Sequence, residues 1–163
     1  MASDMFIKIG EVKGESQDAA FKGSDGWIDI LSFSWGVSNS SDTHVGGGGG
    51  KGKASFSDLT IMKHVDLASP ALAMLCSNGK HFNDAYLTIR KQGEKPLEYY
   101  KIKFSEVLVS SFQHSGSDGG GLPTESVSLN FAKIDFKYTV QNKDGSGGAS
   151  DEFKWDIAGN IKF

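Results

Sequence analysis

Apolar side chains recur mostly at every second position along this chain, the spacing that places them on one face of a β-strand. Met5, Ile7 and Ile9 open the series. Leu31, Phe33, Trp35 and Val37 then define one apolar face, while Ser32, Ser34 and Gly36 give the opposite face a small, polar character. Over 55–67, Leu59, Ile61, Val65 and Leu67 share odd parity with Lys63 as the exception, which favours a strand. Residues 85–91, a turn through Gln92-Gly93 and a long run from Leu97 to about Phe112 read as a hairpin.

The run from Ser126 to Val140 changes phase. Val127, Leu129 and Phe131 are apolar at odd numbers, whereas Ile134, Phe136, Tyr138 and Val140 are apolar at even numbers. Because side chains alternate with a period of two, the flip predicts a bulge or sharp bend at Ala132-Lys133. Phe153, Trp155 and Ile157 alternate with charged residues and predict a C-terminal strand. Ser69-Pro70 opens the one helical segment: Ser69 as the cap, proline at the first helical position, an apolar stripe of Leu72, Leu75 and Cys76, and Asn78-Gly79 as the stop. The fold class that follows is mostly β: an antiparallel β-barrel or sandwich of about seven or more strands with one short flanking α-helix, a single domain over residues 1–163. Strands do not alternate with helices, so a doubly wound parallel sheet is excluded.

Composition narrows the function. Of 163 residues, 17 are basic and 20 acidic, a net charge of −3, and Arg90 is the lone arginine. That balance argues against a nucleic-acid partner, which calls for a basic excess and bidentate donors. No apolar run approaches the roughly 18–20 residues needed to span a bilayer, so membrane insertion is not expected. The opening Met-Ala-Ser-Asp-Met-Phe-Ile-Lys-Ile-Gly lacks the charge and apolar pattern of a signal peptide. Most of the 21 glycines cluster in four stretches, within 10–26, 46–52, 116–121 and 145–148, which read as long mobile loops between ordered elements.

Nothing in these motifs reads as catalysis. Gly47-x4-Gly52-Lys53 matches the start of a phosphate-binding loop, but Ala54 stands where a magnesium-binding hydroxyl belongs, and a strand rather than a helix follows. His44, His64, His81 and His114 lack zinc-site spacing, and Cys76 lies on the apolar stripe of the helix. No cofactor and no metal are expected.

Several segments nonetheless resemble one family along nearly the whole chain. They are Asp4-Met-Phe-Ile-Lys-Ile-Gly, Ser34-Trp35-Gly36, His44-Val followed by five glycines, Ser77-Asn-Gly-Lys-His81, Leu87-Thr-Ile-Arg-Lys91, Glu106-Val-Leu-Val-Ser-Ser111 and Thr124-Glu-Ser-Val-Ser-Leu-Asn-Phe-Ala132. Together they resemble the haemolysin-coregulated protein (Hcp) family, which forms the inner tube of the type VI secretion system. The resemblance implies a homohexameric ring that stacks into tubes, with sheath, spike-tip and effector proteins as partners. It implies a bacterial cytoplasmic protein, then secreted without a signal peptide by contractile injection. It also implies that Ser32 and Ser34 face effectors in the lumen, and that Gly46, Gly47, Gly48, Gly49, Gly50, Lys51 and Lys53 belong to an extended ring-stacking loop. Read without the resemblance, the same residues also fit a monomeric β-barrel module that binds a ligand or glycan.

Overall fold

The computed structural model describes residues 3–40 and 52–163. Eleven strands and one α-helix occur among them, within the expected seven or more, and several of the strands span only two or three residues. In chain order they are β1 (Ser3–Ile9), β2 (Trp27–Asp29), β3 (Ser32–Ser34), β4 (Val37–Asn39), β5 (Ala54–Phe56), β6 (Leu59–His64), α1 (Ser69–Asn78), β7 (Phe82–Lys91), β8 (Leu97–Ser115), β9 (Thr124–Gln141), β10 (Gly147–Asp156) and β11 (Ile161–Lys162). Every ladder is antiparallel.

The main sheet runs β11-β10-β9-β8-β7-β1-β2, with β6 also on β9 and β3 on β6. It is sandwich-like rather than a closed barrel. The chain changes partner between Ile30, whose N–H donates to Met5, and Leu31, whose N–H donates to Met62. Ile7, Ile9, Ile28, Leu59, Ile61, Leu72, Leu87, Ile102, Phe104, Val107, Leu129 and Ile134 fill the space between the layers.

The phase flip at Ala132-Lys133 is present, with Phe131 and Ile134 both buried. Its partner strand flips as well: β8 buries Ile102 and Phe104, then Val107 and Val109. Between them Glu106 takes a left-handed φ of 54°, level with Ala132. At this corner β9 leaves β6 and takes β10 as its neighbour.

Three expectations need correction. The run 31–37 is not one strand. Gly36 donates its N–H to Ser57 Oγ at 2.8 Å, and the chain leaves β3 to form the separate β4–β5 ribbon. Leu31 and Val37 are therefore about half exposed, while Phe33 and Trp35 pack on the core. Ser69 is not the helix cap; Ala68 holds that position, and Ser69 Oγ instead accepts from the Asp66 N–H at 3.0 Å. The glycine-rich stretch up to residue 26 is packed down rather than loose. Phe21 stacks on Phe6 at 4.6 Å, and Arg90 donates to both Asp4 and Asp18. Gly14 and Gly23 are required there by space: a Cβ on Gly14 would lie 2.1 Å from the Trp27 carbonyl oxygen.

Candidate functional site

The strands β3, β6, β9 and the end of β8 form a four-stranded wall whose two faces differ in chemistry. Toward the core it presents Phe33, Ile61 and Val127, then Leu59, Leu129 and Val109. Outward, Ser34, Thr60, Ser128 and Ser111 form one cross-strand row, and Ser32, Met62, Ser126 and Gln113 form the next. Period-two alternation produces this separation, since residues level with one another on paired strands point to the same side.

The outward face is small, hydroxyl-rich and uncharged over these two rows. Thr60 and Ser128 hydrogen-bond at 3.0 Å. Asp58, at the β4–β5 end of the wall, accepts from Ser110 at 2.6 Å and from Asn130 at 2.9 Å. Ser32 and Ser34 are exposed, on a strand anchored from behind. Phe33 meets the Tyr100 ring at 5.4 Å, and Trp35 Nε1 donates to Tyr100 Oη at 2.9 Å.

The core-facing side ends in an ionic row that sequence reasoning missed. Lys63, Glu125 and His114 lie level on β6, β9 and β8. Lys63 and Glu125 are fully buried, with Nζ 2.6 Å from Oε2. Lys63 Nζ also donates to Asp66 Oδ1 at 2.8 Å and to the His64 carbonyl at 2.9 Å. Glu125 Oε1 meets His114 Nε2 at 2.7 Å. Burial alone pushes the Glu125 carboxyl up, but hydrogen bonds from Lys63, Ser69 and His114 outweigh it and hold the group below its ordinary range. The signal was present in the parity: Lys63 shares the buried phase of Leu59 and Ile61, and Glu125 that of Val127.

Other sequence candidates stay apart. Lys53 is exposed and leads into strand β5, so no helix N-terminus backs the glycine loop. Gly46, Gly47, Gly48, Gly49, Gly50, Lys51 and His44 lie outside the described residues. His64 and His81 are exposed, and among the described residues no three acidic, histidine or cysteine side chains are placed to share a metal ion. Cys76 is half-buried against the core. Among the described residues no helix is long and apolar enough to cross a membrane.

Comparison with known proteins gives a consistent result. A family model described as type VI secretion system effector, Hcp, matches residues 6–138. Protein hcp1 of Pseudomonas aeruginosa is 48% identical over 164 residues, covering 99% of each chain. A solved structure of a type six secretion system protein superposes with a TM-score of 0.91 at 33% identity, covering 99% of this chain and 100% of the other. Hcp1 from Salmonella typhimurium superposes at 0.82 with 35% identity, covering 100% of both chains.

Proposed function

The chain belongs to the Hcp family of type VI secretion proteins, and from that premise we propose that it is a tube subunit: six copies close into a ring, and rings stack into a hollow tube. The observation that carries this reading is the pair of free edges on the polar wall. Among the described residues no strand pairs with the outer side of β3, nor with residues 108–115 of β8. Successive antiparallel pairing through β6 and β9 leaves β3 and β8 running in opposite directions. The β3 edge of one copy therefore suits an antiparallel ladder with the β8 edge of the next. An exposed strand edge is a ready template for such pairing. Closure of the ring would join the walls into one continuous lining, with Ser32, Ser34, Thr60 and Ser128 turned toward the lumen.

In this reading effector proteins travel along that lining, and sheath and spike-tip proteins drive the tube outward. Head-to-tail stacking is a heterologous contact that does not close, and so it grows a tube. The assignment of Gly46, Gly47, Gly48, Gly49, Gly50, Lys51 and Lys53 to ring stacking rests on resemblance to the family. The role is mechanical, without a cofactor. Light scattering tests it: the expected mass is near six times 17.5 kDa, whereas a stable single chain at micromolar concentration would overturn the ring and favour a monomeric ligand-binding module.

A further inference from the structure

Helix α1 has the composition of a buried helix, yet one of its sides lies open. From Leu67 to Gly79 no residue is charged, in a chain where 23% are. A surface helix normally backs one apolar stripe with a charged face, and a helix apolar all round belongs inside a protein. Ala68, Leu72, Leu75 and Cys76 pack on the core. A second stripe, Leu67, Pro70, Ala71 and Met74, follows the i, i+3, i+4, i+7 spacing on another side and faces solvent. Leu67 is 64% exposed and Met74 63%. Apolar groups grouped in this way mark a contact surface, whereas singly scattered ones need no explanation.

The position of α1 says what covers this stripe. β9 takes one edge of β8, and β7 takes the other only as far as Phe82, opposite Val107. Beyond that point the second edge is free, and α1 packs against β8. Its first turn lies at the far end, where Lys63 Nζ reaches Ser69 Oγ at 3.4 Å and the ionic row runs through Glu125 to His114. Its later turns come back to the start of β7, where Ala71 and Met74 border a groove of about 780 Å³ together with Phe82 and Tyr86. The helix therefore follows the free edge on the core side of the sheet. Lys8, Glu11, Lys80 and Asp84 border the groove from β1, β7 and the turns beside them, a charged rim around an apolar centre.

We propose that the Leu67–Met74 stripe is a second layer of the ring seam, covered by the neighbouring copy whose β3 joins β8. The inference rests on the ring reading and adds to it a packing contact outside the strand ladder. Antiparallel pairing carries the Leu31 end of the neighbour's β3 toward His114, the end of β8 at which α1 begins. Leu31, about half exposed and directly before β3, thereby meets Leu67 and Pro70 of the first copy. The length of β3 calls for such a contact: three residues supply few ladder bonds, and a short strand pair without an apolar layer is marginal in water. Loss of charge and the presence of methionine at the centre of the patch are also what interfaces between proteins show.

Dilution of the assembled full chain, followed by light scattering, gives the concentration at which the ring comes apart. Leu67→Glu/Met74→Glu should raise that concentration at least about tenfold, and Leu31→Glu should do the same from the other side of the seam. Leu67→Gln/Met74→Gln, which adds no charge, should show the shift in smaller measure. Ile161→Glu alters a comparably exposed apolar residue on β11, away from the seam, and should leave the ring as it is. Urea unfolding of the dissociated chains should not separate the variants, since each altered side chain is exposed in the single chain. A stripe protein that unfolds more readily as a single chain would show that the stripe supports the fold, and would overturn the proposal. An unmoved dissociation point in the stripe protein, or an equal shift in the Ile161 protein, overturns the proposal and leaves the ring reading standing. An unaltered chain that is already single at micromolar concentration sinks the ring reading, and this contact with it. Rings that stay closed but no longer stack in electron micrographs would make the stripe a contact between rings and also overturn the proposal.

Discussion

Cutting the Lys63–Glu125 pair from one side should cost far more than removing it whole. Lys63 is fully buried and its ammonium touches Glu125 at 2.6 Å, Asp66 at 2.8 Å and the His64 carbonyl at 2.9 Å. Breaking a buried pair by deleting one partner typically costs about 3–5 kcal/mol, because a charge is left without compensation. Glu125→Gln leaves Lys63 with Asp66, so the lower end, about 3 kcal/mol, applies. Lys63→Met leaves a carboxylate in a fully buried site with His114 and the Ser69 hydroxyl but no buried cation, so about 4–5 kcal/mol applies. Lys63→Met/Glu125→Leu removes both charges, and apolar replacement of a buried pair is often near neutral; about 1–2 kcal/mol is expected against a simple sum near 7–8. Urea unfolding followed by tryptophan fluorescence reads these values, at one protein concentration and with the assembled mass checked, since assembly itself adds apparent stability. Glu125 is held below its ordinary value of 4.5, so its contribution is complete above that pH and disappears as pH falls through the lowered value. Glu125→Gln should flatten the acid limb accordingly. Additive single losses, or single losses under about 1 kcal/mol, would show that the two charges are not coupled as argued.

Two further outcomes are expected. Hydrogen bonds from Arg90 lower the Asp18 carboxyl from 3.8 to about 2, so its stabilising effect is complete above 3.8 and lost as pH falls toward 2; Asp18→Asn should remove that part of the fall in melting temperature over the same window. Ser34→Gln adds bulk on the exposed face of β3 and opens no cavity, so stability should move by about half a kcal/mol or less. Rings should still form by scattering, while effectors that co-purify with the unaltered ring are lost; unchanged co-purification would place Ser34 off the cargo surface.

Legibility in the sequence followed the range of the interactions. The β7–β8 hairpin, the C-terminal strand and the phase change in β9 could be read because they depend on parity within one segment. The break at Gly36 could not, because it is made by the hydroxyl of Ser57, 21 residues away in sequence. Glycines 14 and 23 looked like markers of a loose loop, yet they are set by the approach of two backbones, with the Gly14 N–H donating to the Gly23 carbonyl at 3.0 Å. Ser69 matched a cap by position, but its hydroxyl faces Asp66 and the Lys63 ammonium. The small, polar character of Ser32 and Ser34 was legible; the full wall was not, since its rows require the pairing of four strands. The ionic row was missed by treating Lys63 as an exception to the parity, when the parity was correct and the missing partner was Glu125.

The corner explains how one sheet carries two surfaces of opposite character. If only β9 held an extra residue there, its register with β8 would slip by one across the bend. Instead Ser105 pairs with Lys133 and Val107 with Phe131, and the register continues unbroken while both strands change phase. Glu106 accomplishes this in β8 through a left-handed backbone, a conformation a non-glycine residue adopts only at some cost. On β9, Ala132 gives its carbonyl to the Ile157 N–H at 2.9 Å, just where β10 takes over from β6 as neighbour. Before the bend β9 turns Ser126, Ser128 and Asn130 outward; after it, Lys133, Asp135 and Lys137. A slip of one residue would exchange faces, burying Ser128 among the leucines or Lys137 beside Ile102. Correct packing of the core therefore enforces the hydroxyl wall and the lysine face together, and neither surface can be re-registered without the loss of both.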